Sequence, residues 1–255
     1  MSDRLKALCG AFKHGLDAIR KRACDNGIVK DIAGVGVNDG CPPKYAICAA
    51  FALCDQTMRE QFAPSPIRWR CAMSDLDGDV RTRVQHIVEQ VGPAAMNLED
   101  PWARCEDPWP TIKEFMFDFS FSNYRIPELT GQWDGWPNGS GTVFRLLLAA
   151  ESEVQGTGFT GRVNLVTRDL VKLCLVKSDL KVLVYKGYDQ EDEAKGWKDG
   201  MLARIETTIK RCYENEHVPG EWLFLGLLGK WPESQSAYQH ILTPQHQSIT
   251  SATGW

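Results

Sequence analysis

The feature that most constrains the fold is the stretch at residues 143–150, apolar apart from Arg145 and polar Thr142 before it, which closes directly on Glu151-Ser152-Glu153. A short, continuous apolar run of this kind is the pattern of a strand covered on both faces at the centre of a sheet. Acidic residues at the end of such a strand need an explanation, because an ionised carboxylate removed from water without a partner costs several kcal/mol. A lysine or a metal ion has to answer them.

Upstream, Phe115, Phe117, Phe119 and Phe121 alternate with Glu114, Met116, Asp118 and Ser120. This period of two predicts a strand over residues 114–121 with the phenylalanines on one buried face and Asp118 pointing away from them. Glu151 and Glu153, two residues apart, share a side of their own strand. If the two strands pair, Asp118 reaches the same spot, and three carboxylates converging there suit Mg²⁺ or Mn²⁺, which take oxygen ligands in octahedral geometry.

The flanking sequence supplies the other layers of the fold. Leu5, Leu8, Cys9, Phe12, Leu16 and Ile19 recur at helical spacing and predict an amphipathic helix over residues 3–24. A Gly- and Asp-rich loop is expected over 26–42, closed by Pro42-Pro43, then a helix over 46–59, a short strand over 67–71 and a helix over 80–91. Residues 92–110 read as a Pro- and Trp-rich connector. After the acidic strand, a helix over 164–177 with Asn164 as N-cap, a strand over 182–185, a helix over 191–216 and a strand over 222–228 follow. The order β-β-α-β-α-β implies a mixed sheet with parallel crossovers. The expected organisation is therefore α/β: a mostly helical region over 1–110, a mixed-sheet core over 111–230, and a polar, partly disordered tail over 231–255.

Charge and cysteine content exclude more than they identify. Lys+Arg 29 against Asp+Glu 33 leave a net charge of -4, so no global basic field draws the chain onto nucleic acid, and any such binding needs a local patch. No apolar run approaches the length of a membrane span, and Lys6, Lys13, Arg20, Lys21 and Arg22 interrupt the first residues, so neither a membrane partner nor a signal peptide is expected and a cytoplasmic location is. The 9 cysteines show no CxxC pair and read as reduced thiols packed as small hydrophobes.

Four other motifs compete for attention. Gly156-Thr-Gly158-Phe-Thr-Gly161 has the GxGxxG form of dinucleotide-binding turns, but five residues separate it from the apolar strand and two carboxylates beside a pyrophosphate would repel it. Asp75-Leu76-Asp77-Gly78-Asp79 lacks the glycine and glutamate of a calcium loop, with Val80 and His86 in their places, and reads as a solvated turn. Trp133 and Trp136 could stack on bases or cover a sheet edge. Lys172, Lys177, Lys181, Lys186, Arg162 and Arg168 form the basic excess nearest the acidic cluster, as phosphate contacts or as a solvated helix face.

The pieces FMFDFSF around Asp118, LLLAAESEV around Glu151 and Glu153, and DLVKLCLVKSDLKVLVY over 169–185 together resemble the PD-(D/E)xK restriction-endonuclease-like superfamily. The resemblance spans residues 111–186 and extends toward 229. It implies a restriction-endonuclease-like mixed sheet flanked by helices and a metal-dependent nuclease in which Asp118, Glu151 and Glu153 bind Mg²⁺ or Mn²⁺. In the superfamily the third motif position is usually lysine. Here it is Glu153, and Lys172 on the following helix would stand in for the lysine as the fourth catalytic residue. The implied partner is nucleic acid, DNA ahead of RNA, with a homodimer allowed. The alternative from another class is a non-catalytic binding or regulatory protein that keeps the fold with a degenerate site.

Overall fold

In a computed structural model of the chain, the residues described are 3–25, 44–61, 70–73, 79–91, 117–122, 146–154, 158–187, 196–213, 220–228, 231, 236–242 and 250–252. The elements in chain order are α1 (Asp3–Asp25), α2 (Lys44–Ala52), α3 (Asp55–Gln61), β1 (Arg70–Met73), α4 (Asp79–Val91), β2 (Phe119–Ser122), β3 (Leu146–Glu153), α5 (Gly158–Leu175), β4 (Leu180–Lys186), α6 (Trp197–Tyr213), β5 (Glu221–Leu228), β6 (Ser236–Leu242) and β7 (Thr250–Ala252). The strands form one 7-stranded sheet in sequential order from β1 to β7. Its centre, β3-β4-β5, is parallel, and the pairs on either side are antiparallel. The fold is α/β.

Side-chain alternation sorts the helices between the two faces of this sheet. Leu148 and Ala150 of β3, Val182 and Val184 of β4, and Leu223 and Leu225 of β5 share a buried cluster with Leu5, Phe12 and Ile19 of α1, Ala46 and Phe51 of α2, and Val84 of α4. Ala149, Leu183, Tyr185, Trp222 and Phe224 point the other way and meet Val166, Leu170 and Leu173 of α5 and Met201, Ile205 and Ile209 of α6. The N-terminal helices are thus one layer over the sheet, since an amphipathic stripe such as that of α1 needs an apolar face to cover. Phe51 links the layers by packing on Phe12 at 4.6 Å and stacking on Phe119 at 5.3 Å between ring centroids.

Several expectations change. The helix read over 46–59 is two helices with a break at Leu53-Cys54. There the Cys54 N–H donates to the Phe51 carbonyl at 3.0 Å, and its thiol takes the Ala50 carbonyl at 3.2 Å, so the ordinary helical bond is replaced. The phenylalanine strand is regular only from Phe119. Residues 117 and 118 form a bend, Phe117 packs with the α5/α6 layer while Phe119 and Phe121 face α1 and α2, and residues 114–116 lie outside the described residues. Asn164 is no N-cap, because α5 already begins at Gly158 and takes in Gly158 and Gly161 of the glycine motif. The tail carries β6 and β7, with β6 pairing along the length of β5 from Trp222↔Leu242 to Leu228↔Ser236. Residues 26–43, 92–116 and 123–145, with Trp133 and Trp136, lie outside the described residues, as does the Asp75–Gly78 turn.

Turn chemistry fixes how β5 enters the sheet. Gly220 adopts φ 80°, and a Cβ there would sit 2.8 Å from the Ser178 carbonyl oxygen, so only glycine fits the approach to the α5–β4 connection. The Glu221 N–H, next in the chain, donates to the Asp179 carbonyl at 2.9 Å and starts the β4–β5 ladder.

Candidate active site at the carboxyl end of the central strand

Glu151, Ser152 and Glu153 are the last residues of β3, at the carboxyl end of a parallel strand, where open α/β sheets place their ligands. The register sets the companions. Phe119 pairs with Ala150, so Asp118, in the bend just before β2, arrives beside Glu151 and Ser152. One Asp118 carboxylate oxygen, Oδ2, accepts the Ser152 N–H at 2.9 Å and the Ser152 hydroxyl at 2.8 Å. Its other oxygen, Oδ1, is ion-paired with the Lys44 ammonium at the start of α2. One turn further along α2, the Cys48 thiol donates to the Asp118 backbone carbonyl at 3.6 Å. Residues four apart share a helix face, so α2 grips both the main chain and the side chain of Asp118.

Glu151 is held from the opposite layer. It projects from the face of β3 that α5 covers, is buried to 1 % exposure, and lies 3.3 Å from the Lys172 ammonium. Lys172 also pairs with Asp169, one turn earlier in α5, at 3.0 Å, and Asp169 is itself buried. Burial pushes the Glu151 carboxyl up to about 8, the charges of Asp118 and Asp169 push it the same way, and Lys172 opposes them only in part. For Lys172, burial alone would lower the ammonium. The Asp169 hydrogen bond and the charges of Glu151 and Asp169 outweigh it, and the group is raised. The same contest at Lys44, burial against Asp118, also ends with the ammonium raised.

The structure therefore brings together three of the four residues singled out in the sequence, Asp118, Glu151 and Lys172. Glu153 stands two positions beyond Glu151 on the same side of β3 and is half-buried; the carboxylates whose charge Glu151 feels are Asp118 and Asp169. Lys44, Ser152 and Asp169 were not expected in the site. Ser152 lies between the two glutamates and bonds Asp118 from the opposite side of the strand, and Asp169 lies one helical turn before Lys172, a spacing visible in the sequence. Lys44 comes from a distant helix, and only its position directly after Pro42-Pro43 hinted at a fixed helix start.

Among the described residues, no group of three or more His, Cys, Asp and Glu side chains is arranged to hold a metal ion between them. Asp118 and Glu151 carry oxygen donors of the type a hard dication takes, and each carboxylate is paired with a lysine ammonium, Lys44 on Asp118 and Lys172 on Glu151. The basic patch read from the sequence loses Lys181. Its side chain is fully buried, with the ammonium 4.8 Å over the Trp222 ring and 3.4 Å from the Tyr213 hydroxyl, so it is a core residue and no phosphate contact. The reading of cysteines as buried thiols holds for Cys9, Cys48, Cys54 and Cys174, while Cys212 is exposed. Among the described residues no helix is long and apolar enough to cross a membrane.

What these elements define is an α/β protein with a carboxylate–lysine cluster at the carboxyl end of its central strand. No protein-family model, curated protein or solved structure matches the chain, so the cluster is interpreted from its own geometry.

Proposed function

We propose that the chain is a divalent-metal-dependent nuclease with a restriction-endonuclease-like core, hydrolysing phosphodiester bonds in nucleic acid, DNA ahead of RNA. The observation that carries this reading is Glu151: a carboxyl buried at the carboxyl end of the central parallel strand, pushed up to about 8, with Asp118 and Lys172 beside it. The chain order agrees with the resemblance: an antiparallel β2–β3 pair bearing Asp118 and Glu151, then α5 bearing Lys172, then β4 parallel to β3. In this reading Asp118 and Glu151 hold Mg²⁺ or Mn²⁺. Such an ion, when bound, polarises the scissile phosphate and lowers the pKa of a bound water. Ser152 fixes the Asp118 carboxylate through Oδ2, Lys172 stabilises charge developing on the phosphate, and Glu153 orients the attacking water.

The test is cleavage of a panel of single- and double-stranded DNA and RNA in Mg²⁺ or Mn²⁺, with chelator as control. Metal-dependent cleavage by the parent and none by Glu151→Gln is the expected result. Equal cleavage by both would place the chemistry elsewhere. A second reading, a non-catalytic binding protein with a degenerate site, is favoured by one observation: each of the two carboxylates already has an ammonium partner, Lys44 on Asp118 and Lys172 on Glu151. Binding of the same panel without cleavage, and without any effect of divalent metal, would select it.

A further inference from the structure

The two helices on the Glu151 face of the sheet each join a pair of parallel strands by the same kind of crossover, so α5 and α6 lie side by side and run in the same direction. Their last turns therefore meet at the amino ends of β4 and β5, the end of the sheet opposite Glu151. Each last turn carries a cysteine one residue before the helix ends, Cys174 in α5 and Cys212 in α6, 38 positions apart in the chain. Two contacts put these positions together: the Tyr213 hydroxyl donates to the Cys174 carbonyl at 2.8 Å, and a side-chain hydrogen bond joins the Cys174 and Cys212 thiols. Of Cys9, Cys48, Cys54, Cys174 and Cys212, only Cys212 is exposed. Among these five a dissolved oxidant meets Cys212 first, and the thiol behind it is a second cysteine.

We propose that Cys174 and Cys212 are a redox-modification site, at which a hydroperoxide oxidises the two thiols to a reversible disulfide that staples α5 to α6. The Cys212 sulfur attacks a peroxide oxygen, the O–O bond breaks, the leaving oxygen departs with the thiol proton, and Cys212 becomes a sulfenic acid. The Cys174 sulfur then attacks the Cys212 sulfur, the S–O bond breaks, and the hydroxyl leaves as water with the Cys174 proton. The two thiols lose two electrons in all and the peroxide accepts them. The two sulfurs are suited to different steps. Burial pushes the Cys174 thiol up, its hydrogen bond with Cys212 adds to this, and the Lys181 charge and the Tyr213 hydroxyl oppose it. Cys174 thus stays protonated and inert by itself, as suits a thiol that acts only after its neighbour has been oxidised. The pair stands apart from the carboxylate–lysine cluster and does not depend on the nuclease reading.

The experiment exposes the folded full chain to a small molar excess of hydrogen peroxide, blocks the remaining thiols with N-ethylmaleimide and maps the peptides by mass spectrometry without reduction. Melting temperatures are taken before oxidation, after it, and again after dithiothreitol. The parent should yield a peptide linked through Cys174 and Cys212 that dithiothreitol separates. Its melting temperature should rise by about 5–10 °C on oxidation, the gain expected from closing a loop of this length, and fall back on reduction. Cys212→Ser should give no link and no rise, and in Cys174→Ser the oxidation should stop at a Cys212 sulfenic acid that dimedone captures. The peptide map of the parent requires no variant to fold. Four results overturn the proposal: Cys212 left unoxidised, Cys212 taken to sulfinic acid or to an intermolecular disulfide while Cys174 stays a thiol, a linked peptide that forms only in urea, or a link that leaves the melting temperature unchanged.

Discussion

Glu151 and Lys181 project from adjacent parallel strands into the same α5/α6 layer, and neither is exposed to solvent by more than 1 %. Burial moves both toward neutrality and by a similar amount, Glu151 up to about 8 from 4.5 and Lys181 down to about 8 from 10.5. The surroundings differ. Lys181 sits two residues into β4 under the Trp222 and Tyr213 rings, and the Tyr213 hydroxyl that receives its ammonium hydrogen bond donates onward to the Cys174 carbonyl at 2.8 Å. Glu151 sits at the strand end among Asp118, Asp169 and Lys172, whose side chain is 37 % exposed. Lys181 is perturbed chiefly by burial among aromatic rings, whereas Glu151 is perturbed first by burial and then by the charges of Asp118 and Asp169, with Lys172 opposing them, at the end of its strand. A shifted pKa alone does not separate a site from a structural oddity; convergence of several charged groups within reach of water does.

The sharpest way to break this comparison is through chemistry. Glu151→Gln keeps the volume and removes the charge, and should abolish metal-dependent cleavage, whereas Lys181→Met should cut at the parental rate. Equal loss in the two variants would mean that both act through stability. Next in size, Lys172→Met should retain Mn²⁺ and slow turnover by ~10²–10³, the usual effect of losing one charge-stabilising group. Single-turnover cleavage rates at saturating Mn²⁺ measure this, and an undiminished rate would return Lys172 to an ordinary helix ion pair with Asp169.

The third expectation concerns metal and stability. With a divalent ion at ~100 times its Kd, the native state should gain about 2.7 kcal/mol in thermal or denaturant unfolding. The gain should vanish in Glu151→Gln and persist in Lys181→Met.

The smallest effect is the pH dependence of the metal-free protein, where the two residues act with opposite sign. The folded state binds the Glu151 proton more tightly than the unfolded chain does. That contribution is complete below about 4.5 and is lost as pH rises through about 8. The folded state gives up the Lys181 proton more readily, so stability falls as pH drops from about 10.5 toward 8, and rises again on the return. Lys181→Met, which replaces a buried cation with an apolar chain of similar length, should add about 1–3 kcal/mol at neutral pH and flatten the alkaline limb. Glu151→Gln should flatten the limb between pH 5 and 8. Chemical-denaturation midpoints across pH 5–10 for the three proteins test both signs at once.

Much of the architecture was legible because it rests on local patterns. The amphipathic stripe of α1, the apolar runs of β3, β4 and β5, and the helices between them follow from hydrophobic periodicity, which a single sequence displays in full. The same patterns misled at the break between α2 and α3, at the bend at Phe117-Asp118, and in the tail, where β6 is a strand paired with β5 on one side and β7 on the other.

By itself the sequence determined that carboxylates would close a buried strand and that a cation had to answer them, since burial of unpaired charge is costly whatever the fold. It also named Asp118, Glu151 and Lys172, because strand and helix spacings carried them. Only the tertiary structure decided which cation answers which carboxylate. Lys44 reaches Asp118 across 74 positions of chain by the packing of α2 against the sheet, and Lys181, indistinguishable from its basic neighbours in the sequence, is turned inward by the parity of β4. Contacts between distant segments depend on register and layer packing, and no local spacing encodes them.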